Sequence, residues 1–268
     1  MKTKTSKLLT NNKTMMLAYD QGLEHGPSSF NLQNVDPEYI LNLALEGNFN
    51  AVILQSGIAD KYYNQDYQDV PLVIKLNGKT NINANEPISR QICSVERAVR
   101  LGADAIGYTI YDGSEHEHDI FKEFGSVVEK AHDYGLPVIA WMYPRGKAVT
   151  NDITTDILAY SARIGLELGA DFVKIKYNHD PEGYKWVVKN AGRTKVLAAG
   201  GQKKDPLSYL HEAKEILSTG ATGFAIGRNI WQDPNPLAIT QALRDVIFNN
   251  KDPEEAIQHL QKSEHNMN

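Results

Sequence analysis

A short phrase recurs in this chain where a helical segment passes into an apolar run. It reads LGAD at 101–104 and 168–171, TGAT at 219–222 and, more loosely, EGNF at 46–49. Glycine tolerates the left-handed backbone conformation that ends many helices, and each copy is followed at once by residues typical of a strand. The repetition therefore predicts a unit of helix, glycine cap, short turn and buried strand that occurs several times.

Apolar runs of strand length alternate with segments of helical length along the 268 residues. This alternation favours a parallel sheet, and eight units of this kind predict an α/β fold, the (β/α)8 TIM barrel. The alternative is a doubly wound open sheet, whose dinucleotide-binding form is disfavoured because no GxGxxG follows the first run. The predicted strands are 15–20, 51–55, 72–77, 105–110, 138–143, 172–177, 196–201 and 224–228, and the predicted helices include 37–46, 94–101, 156–168 and 206–219.

Composition limits the class of protein. No linker rich in Pro, Gly and Ser interrupts the pattern, so we expect one domain over 1–268, with a core at about 15–248 and a frayed polar tail at 262–268. A net charge of −5 disfavours a general nucleic-acid binder. No apolar stretch approaches the length of a membrane span, and the first residues lack the apolar region of a secretory signal. A single cysteine, Cys93, suits a reducing, cytoplasmic setting.

Active sites of such barrels lie where the strands end and the loops begin. Side chains alternate across a strand, so the apolar residues of the sixth strand are expected to face the helices while Lys174 and Lys176 point into the barrel. The same parity directs further side chains inward near strand ends, namely Ala18, Asp20, Lys75, Asn77, Trp141 and Tyr143.

Ionisable groups at these inward positions have two interpretations. One is a set of ion pairs that holds the upper barrel together. The other is a Schiff-base lysine, whose amine is made neutral by burial or by a second cation. Lys174 has both influences, with Lys176 or Lys75 as the second cation, while Tyr143 moves a proton and Asp20 holds an ammonium. Parity alone does not separate Lys174 from Lys176.

Glycines at the ends of the last two strands suggest a phosphate site. The loops after strands seven and eight commonly bind phosphate in these barrels, and here they contain Gly200–Gly201 and Gly227–Arg228. Glycine lets backbone N–H groups approach phosphate oxygens, although the same residues also suit tight turns. Arg145 and Lys147, after strand five, either meet a second phosphate or form a solvated basic loop.

Six long motifs occur in order between about residues 15 and 245. They are LAYDQGLEHGP (17–27), IKLNGKTN (74–81), GYTIYDGS (107–114), WMYPRG (141–146), GADFVKIKY (169–177) and IGRNIWQ (226–232). Together they resemble the archaeal-type class I fructose-bisphosphate aldolases. The resemblance implies a (β/α)8 barrel that cleaves fructose 1,6-bisphosphate to dihydroxyacetone phosphate and glyceraldehyde 3-phosphate without metal or other cofactor. It also implies a homo-oligomer, such as an octamer or a decamer, and a part in glycolysis and gluconeogenesis.

The resemblance also assigns roles to matching positions. It implies that Lys174 is the Schiff-base lysine, Tyr143 the acid/base, Asp20 the carboxylate at the imine, and Lys176 a second cation. Trp141 lines the site, and Gly200, Gly201, Gly227 and Arg228 match the family's phosphate contacts. Two positions depart from the common pattern, with Gln21 where histidine is frequent and Ala199 where serine is.

Other features receive structural interpretations. Glu24 and His25 are expected to order a loop at the barrel mouth, and the segment 115–119 (EHEHD) is expected to be a polar first helical turn rather than a metal site. The segment 62–67 is expected to be an aromatic loop that contacts another subunit or covers the site. For His25, a hydrogen bond to substrate is the alternative to a role in ordering the loop. Two functional alternatives also stay open: a related Schiff-base lyase or transaldolase-like enzyme on another phosphosugar, and a phosphosugar-binding barrel without catalysis.

Overall fold

The computed structural model describes residues 3–258 and residue 260. Within this part of the chain, eight parallel strands close into a barrel, because the first strand pairs with the last as well as with the second. The (β/α)8 prediction is therefore confirmed, and the open-sheet alternative is wrong. The barrel strands, in spatial order, are β1 (Thr14–Ala18), β2 (Ala51–Gln55), β3 (Leu72–Lys75), β6 (Ala105–Ile110), β7 (Val138–Met142), β8 (Phe172–Ile175), β9 (Lys195–Ala199) and β10 (Gly223–Ile226), while β4 (Asn77–Gly78) and β5 (Arg90–Gln91) form a separate antiparallel ribbon.

Helices surround the barrel and begin at residues suited to capping. The side chains of Asp36, Thr154, Asp180, Asp205 and Asn235 each accept a hydrogen bond from a backbone N–H in the first helical turn, which satisfies a donor that the helix leaves free. The helices are α1 (Gly22–His25), α2 (Pro37–Glu46), α3 (Ser56–Tyr62), α4 (Val95–Arg100), α5 (Glu117–Asp133), α6 (Thr155–Glu167), α7 (Pro181–Asn190), α8 (Pro206–Ser218), α9 (Arg228–Trp231), α10 (Pro236–Phe248) and α11 (Pro253–Ala256), with 3-10 turns at Thr5–Leu8, Gly26–Ser29 and Gln65–Tyr67. None of the helices in the described residues is long and apolar enough to span a membrane.

The alternation of side chains divides the apolar residues into two clusters. Trp141 belongs to the cluster inside the barrel, whereas its neighbour Met142 packs against the helices outside. Val173 and Ile175 likewise face outward, which leaves Lys174 inside. The predicted parity of the fifth and sixth barrel strands is confirmed. The inner cluster consists of Leu8, Met16, Ala18, Ala51, Ile53, Val73, Ala105, Ile139, Trp141, Phe172, Leu197 and Ala225.

Several predicted strands extend too far at their C-terminal ends. Asp20, Tyr143, Lys176 and Gly201 lie in the loops that follow the strands, and Arg228 begins α9. The apolar or alternating sequence pattern continues at these positions, but the backbone has already left the barrel sheet and entered the loops at the barrel mouth. Asn77, predicted at the end of the third strand, pairs instead with Gln91 in the β4–β5 ribbon.

The segment 62–67 is more ordered than the predicted loop. It contains the last residue of α3 and a 3-10 turn in which the Asn64 side chain accepts a hydrogen bond from the backbone N–H of Asp66. The polar tail predicted to fray, 262–268, lies outside the described residues. The single-domain limits of about 15–248 stay a prediction.

Closure of the barrel depends on the residue that begins the last strand. Gly223 pairs with Thr14 across the closing seam, and a Cβ on Gly223 would lie 1.9 Å from the Thr14 carbonyl oxygen. Its φ of 155° is also one that side chains rarely adopt. We expect Gly223→Ala to lower the free energy of unfolding by about 3 kcal/mol, measured by chemical denaturation.

Gly125 provides the matched control for this substitution. It lies inside α5, and a Cβ there would meet no atom within 4 Å. Gly125→Ala should therefore raise the free energy of unfolding by about 0.5–1 kcal/mol, because alanine favours the helix. If the two variants had equal free energies of unfolding, the close approach of Gly223 to the Thr14 carbonyl would not be important for stability.

Candidate active site

A cleft of about 480 Å³ opens at the C-terminal ends of the barrel strands. Apart from Lys147, it gathers the residues that the sequence proposed for catalysis or for binding, from strand ends and loops that are far apart in the chain. The ionisable side chains that were predicted to point inward near the strand ends, Asp20, Lys75 and Lys174 among them, line this cleft. The lining residues are Ala18, Asp20, Gln21, Glu24, His25, Lys75, Trp141, Tyr143, Arg145, Lys174, Lys176, Tyr177, His179, Ala199, Gly200, Gly201, Gln202, Lys204, Glu212, Ala225, Gly227, Arg228 and Trp231.

Three charged groups lie together at the floor of the cleft. Lys75 donates a hydrogen bond to Asp20 Oδ2 at 3.2 Å, and both side chains are buried. Lys174 is also buried, with 6% of its surface exposed, and it forms no ion pair with any residue that the structure describes. A buried lysine without a carboxylate partner is costly when charged. The arrangement thus favours a neutral amine at Lys174.

Burial lowers the pKa of Lys174 to about 8. The carboxylate of Asp20 opposes this effect, and the positive charges of Lys75 and Arg228 add to it. For Asp20, burial alone would raise the pKa, but Lys75 and Lys174 outweigh it and hold the pKa below its ordinary value. Near neutral pH an ionised carboxylate therefore lies beside an amine that is partly neutral, which is the state a nucleophile requires.

The structure distinguishes the two lysines that parity could not separate. Lys176 lies just beyond β8 with a third of its side chain exposed, and its amine binds Asp152. The second cation that acts on Lys174 is Lys75, the last residue of β3, and Arg228 lowers the pKa of Lys174 further. Lys176 contributes a paired charge to the cleft wall.

The Trp141 ring lies close to both buried lysines. Its centroid is 4.9 Å from Lys75 Nζ and 5.3 Å from Lys174 Nζ, within the range of cation–π attraction. Gly107 on the neighbouring strand makes room for this ring, because a Cβ there would lie 2.1 Å from it. The indole N–H is buried and meets no acceptor among the described residues. Trp141 therefore offers a fixed donor in the wall of the cleft.

Tyr143 faces the floor from the loop after β7. Burial raises the pKa of its phenol, and the carboxylates of Asp20 and Glu24 raise it further. The Arg145 guanidinium lies 5.1 Å from the Tyr143 ring centroid and donates from Nη1 to Glu24 Oε1 at 3.1 Å. Tyr143 is therefore protonated in the unliganded protein at neutral pH.

Two glycine-containing loops, after β9 and β10, form another part of the cleft wall. Gly201 has φ of 67°, and a Cβ on Gly227 would lie 2.8 Å from the Ala18 carbonyl oxygen, so both positions require glycine. The buried Asn229 amide donates to the Gly200 carbonyl at 2.5 Å and to the Gln202 carbonyl at 3.0 Å, which ties the loops together. With Arg228 beside them, these loops form a rigid pocket that is suited to an anion.

Some residues at the rim were not proposed from the sequence. Glu212 accepts hydrogen bonds from Lys204 and faces His179 Nδ1 at 3.1 Å, and all three line the cleft. His179 and Lys204 lie just after β8 and β9, so the rule that sites occupy strand ends could have found them. Glu24 and His25, which were expected to order a loop, form the end of α1 and also line the cleft.

Lys147 and the segment 115–119 lie outside the cleft. Lys147 is largely exposed and pairs with Glu115, so only Arg145 of the predicted basic pair reaches the site. Asp119 pairs with Arg90, and Glu117 accepts from the backbone N–H of Gly113. Across residues 3–258 and 260, no group of three His, Cys, Asp or Glu side chains could hold a metal ion. Cys93 is buried, and burial raises its pKa.

Comparison with known proteins identifies the family. Residues 14–233 match the family described as DeoC/LacD family aldolase. The chain is 48% identical over 242 residues to the fructose-bisphosphate aldolase class 1 of Thermoproteus tenax, covering 89% of this chain and 91% of the relative. It is 37% identical over 261 residues to the fructose-bisphosphate aldolase/6-deoxy-5-ketofructose 1-phosphate synthase of Methanocaldococcus jannaschii, covering 91% and 84%.

A solved structure agrees with these relatives. An archaeal fructose-1,6-bisphosphate aldolase, whose catalytic lysine is covalently bound to the carbinolamine intermediate of the substrate, superposes with a TM-score of 0.87 at 46% identity, covering 91% of this chain and 98% of that one. The fold is that of a barrel aldolase. The chain belongs to the DeoC/LacD family of aldolases, and its resemblance to the archaeal-type class I fructose-bisphosphate aldolases is confirmed.

The electrostatics of the cleft floor predict opposite shifts in two variants. Lys75→Met removes a charge that lowers the pKa of Lys174, so that pKa should rise above 8. Asp20→Asn removes a charge that raises it, so the pKa should fall. At neutral pH the first variant should label more slowly and the second faster with an amine-reactive reagent, by about tenfold per pKa unit.

Quantitative mass spectrometry of the Lys174 peptide across pH measures both shifts. Lys176→Met is the matched control, because Lys176 is not among the groups that shift the Lys174 pKa, and its profile should equal that of the wild type. Shifts in the same direction for Lys75→Met and Asp20→Asn would contradict the assigned electrostatics.

Proposed function

We propose that this protein is a class I fructose-bisphosphate aldolase that reversibly cleaves fructose 1,6-bisphosphate to dihydroxyacetone phosphate and glyceraldehyde 3-phosphate. The observation that carries the proposal is the buried amine of Lys174, with a pKa of about 8, beside Asp20 and Tyr143. The names of the relatives support the same substrate. A place in glycolysis and gluconeogenesis follows from this reaction.

The first stage of the proposed reaction forms an iminium on Lys174. The neutral amine attacks the C2 carbonyl, a C–N bond forms, and the carbonyl oxygen becomes the hydroxyl of a carbinolamine. Tyr143 begins protonated, so its phenol gives the proton with which that hydroxyl leaves as water. The positive charge that results lies beside the ionised carboxylate of Asp20, which stabilises it.

The second stage uses the phenolate that the first stage leaves behind. Tyr143 takes the proton of the C4 hydroxyl, the C3–C4 bond breaks, and its electron pair moves into the iminium to give an enamine. Glyceraldehyde 3-phosphate departs as the aldehyde. Tyr143 then returns the proton to C3 and is again a phenolate. Water hydrolyses the iminium to release dihydroxyacetone phosphate and the neutral amine of Lys174, and the proton set free in this step restores the Tyr143 phenol. The proposal needs no metal or other cofactor for any of these steps.

The two phosphates of the substrate are proposed to occupy different parts of the cleft wall. Gly200, Gly201, Gly227 and Arg228 provide backbone donors and a guanidinium for the phosphate next to the keto carbon. Arg145 lines the cleft from the loop after β7 and carries donors beyond the one that binds Glu24, so it suits the second phosphate. Lys147 has no part in this assignment.

A second phosphosugar reaction is supported by one comparison. The relative from Methanocaldococcus jannaschii carries a 6-deoxy-5-ketofructose 1-phosphate synthase activity in its name, together with the aldolase. The amine, the acid/base and the anion pocket would serve another ketose phosphate equally well. A non-catalytic phosphosugar-binding barrel is disfavoured, because binding alone gives no reason for a buried amine with a lowered pKa.

We propose further that the protein acts as a homo-oligomer in the cytoplasm. The single cysteine, Cys93, suits a reducing compartment. Large apolar side chains are exposed on the outer helices, among them Tyr160 and Trp186, and such residues are common at protein–protein contacts. An octamer or a decamer agrees with the family resemblance.

Borohydride trapping tests the proposed nucleophile. The protein is incubated with dihydroxyacetone phosphate, reduced with sodium borohydride, digested and analysed by mass spectrometry. We expect a reduced adduct on Lys174 and its loss in Lys174→Met, whose turnover should fall by more than about 10⁴-fold. Lys176→Met, the matched neighbour, should keep the adduct on Lys174.

Tyr143→Phe separates imine formation from cleavage. Tyr143→Phe should form the imine more slowly but should still give the adduct after incubation to equilibrium, while cleavage should slow by about 10²- to 10⁴-fold, because the proton carrier is absent. An adduct on Lys176, normal turnover in Lys174→Met, or loss of activity in EDTA would each overturn the proposed chemistry.

A comparison of two substrates tests the phosphate assignments. Arg145→Ala should lower kcat/KM for fructose 1,6-bisphosphate by about 10- to 100-fold, the worth of a charge-assisted hydrogen bond, and change kcat/KM for fructose 1-phosphate much less. Arg228→Ala should impair both substrates, because both carry the phosphate next to the keto carbon. Lys147→Ala is the control and should match the wild type, whereas equal losses on both substrates in Arg145→Ala would contradict the assignment.

A further inference from the structure

Glu24 connects several loops at the mouth of the barrel. Its Oε1 accepts hydrogen bonds from Arg145 Nη1 at 3.1 Å and from the Tyr111 hydroxyl at 3.3 Å. Its backbone carbonyl accepts from the backbone N–H of Asn81 at 3.0 Å. These partners follow β7, β6 and β4, so one residue after β1 binds three other loops. Most of its side chain is buried, with 18% exposed.

Arg145 contacts both Glu24 and the Tyr143 ring. The guanidinium lies over two rings, 5.1 Å from the centroid of Tyr143 and 5.7 Å from that of Tyr111. A guanidinium attracts the face of an aromatic ring, and a carboxylate fixes the direction of the guanidinium through its rigid donor geometry. Arg145 therefore lies near both rings, and Glu24 holds the guanidinium and the Tyr111 hydroxyl.

We propose that Glu24 is a positioning residue that acts through Arg145 to hold the Tyr143 ring in the orientation required for proton transfer. This inference rests on the proposed function, which assigns the proton transfer to Tyr143. Glu24 is not itself a substrate contact, because its Oε1 is engaged by Arg145 and Tyr111 and because a carboxylate repels a phosphorylated substrate.

The Glu24 carboxylate keeps Arg145 in place when Arg145 binds the second phosphate of the substrate. Arg145 is the group we assign to the second phosphate, and a guanidinium that were free to rotate would turn toward that phosphate and away from the Tyr143 ring. The bond to Glu24 uses one terminal nitrogen of Arg145 and leaves other N–H groups for the ligand. Arg145 can then bind the phosphate without leaving the ring.

Exchange of the C3 proton of dihydroxyacetone phosphate with solvent measures the proposed effect. The exchange needs the imine on Lys174 and the proton carrier Tyr143, but it involves only one phosphate, so the binding of a second phosphate by Arg145 does not enter. Exchange in deuterated water, followed by NMR, reports the proton transfer. Borohydride trapping in the same samples reports imine formation.

After incubation to equilibrium, Glu24→Ala should keep the adduct on Lys174, whereas the rate of exchange should fall by about 10- to 100-fold, the cost of a misplaced reacting group. Glu24→Gln keeps an oxygen acceptor for Arg145 and should recover part of the rate. Glu115→Ala is the matched control, because Glu115 pairs with Lys147 outside the cleft, and its exchange should equal that of the wild type.

A double-mutant cycle tests whether Glu24 acts through Tyr143. In a Tyr143→Phe background, Glu24→Ala should cause no further loss of exchange, because the group that it positions is absent. Additive losses, an unchanged exchange rate in Glu24→Ala, or equal losses of adduct and exchange in both Glu24 variants would overturn the inference. A wild-type protein that gives neither adduct nor exchange would instead overturn the proposed function, so the two failures are distinguishable.

Discussion

The ion pair between Asp20 and Lys75 is the constraint on which the site depends. Both groups are buried beside Lys174, so the floor of the cleft contains one carboxylate and two amines. Charging both amines would leave a net positive charge in a poorly solvated space, and effective penalties there reach several kcal/mol per ion. Deprotonation of one amine removes that excess. Lys75 donates a hydrogen bond directly to Asp20, whereas Lys174 has no such partner among the described residues and is the amine whose pKa falls.

The apolar side chains inside the barrel offset the free-energy cost of these buried charges. Ile139, Phe172 and Leu197 fill the barrel beneath the charged floor, and the register places Lys174 between Trp141 and Leu197 on the neighbouring strands. Burial of such side chains stabilises the barrel by about 1.5–3 kcal/mol each, which offsets the polar layer above. The loops can then carry chemistry without carrying the stability of the fold.

The sequence predicted the parts of the site that depend on strand geometry. Alternation alone directed Lys174 into the barrel, and the rule for strand ends located Asp20 and Arg228, because both follow from the backbone of a single element. Parity could not separate Lys174 from Lys176, since their difference comes from Asp152, a partner in another loop. The Glu24–Arg145 contact joins residues 121 positions apart, and no local pattern contains that information. Several strands were predicted to extend further than they do, because the strand-like sequence pattern continues into loops at the mouth of the barrel.

The proposed reaction also explains why Tyr143 has a raised pKa although it must later act as a base. A phenol that were ionised at rest would lack the proton that the departing hydroxyl of the carbinolamine needs. Once that proton is used, the phenolate faces a permanent cation at the iminium nitrogen, whereas the resting enzyme offered it an amine that is partly neutral. Attraction between these charges in a buried cleft is far stronger than in water, so it lowers the pKa of Tyr143 at the stage where a base is required. The proton carrier is thus adjusted by the intermediate itself, and Asp20, which remains ionised throughout, keeps the local charge close to neutral as the iminium forms and disappears.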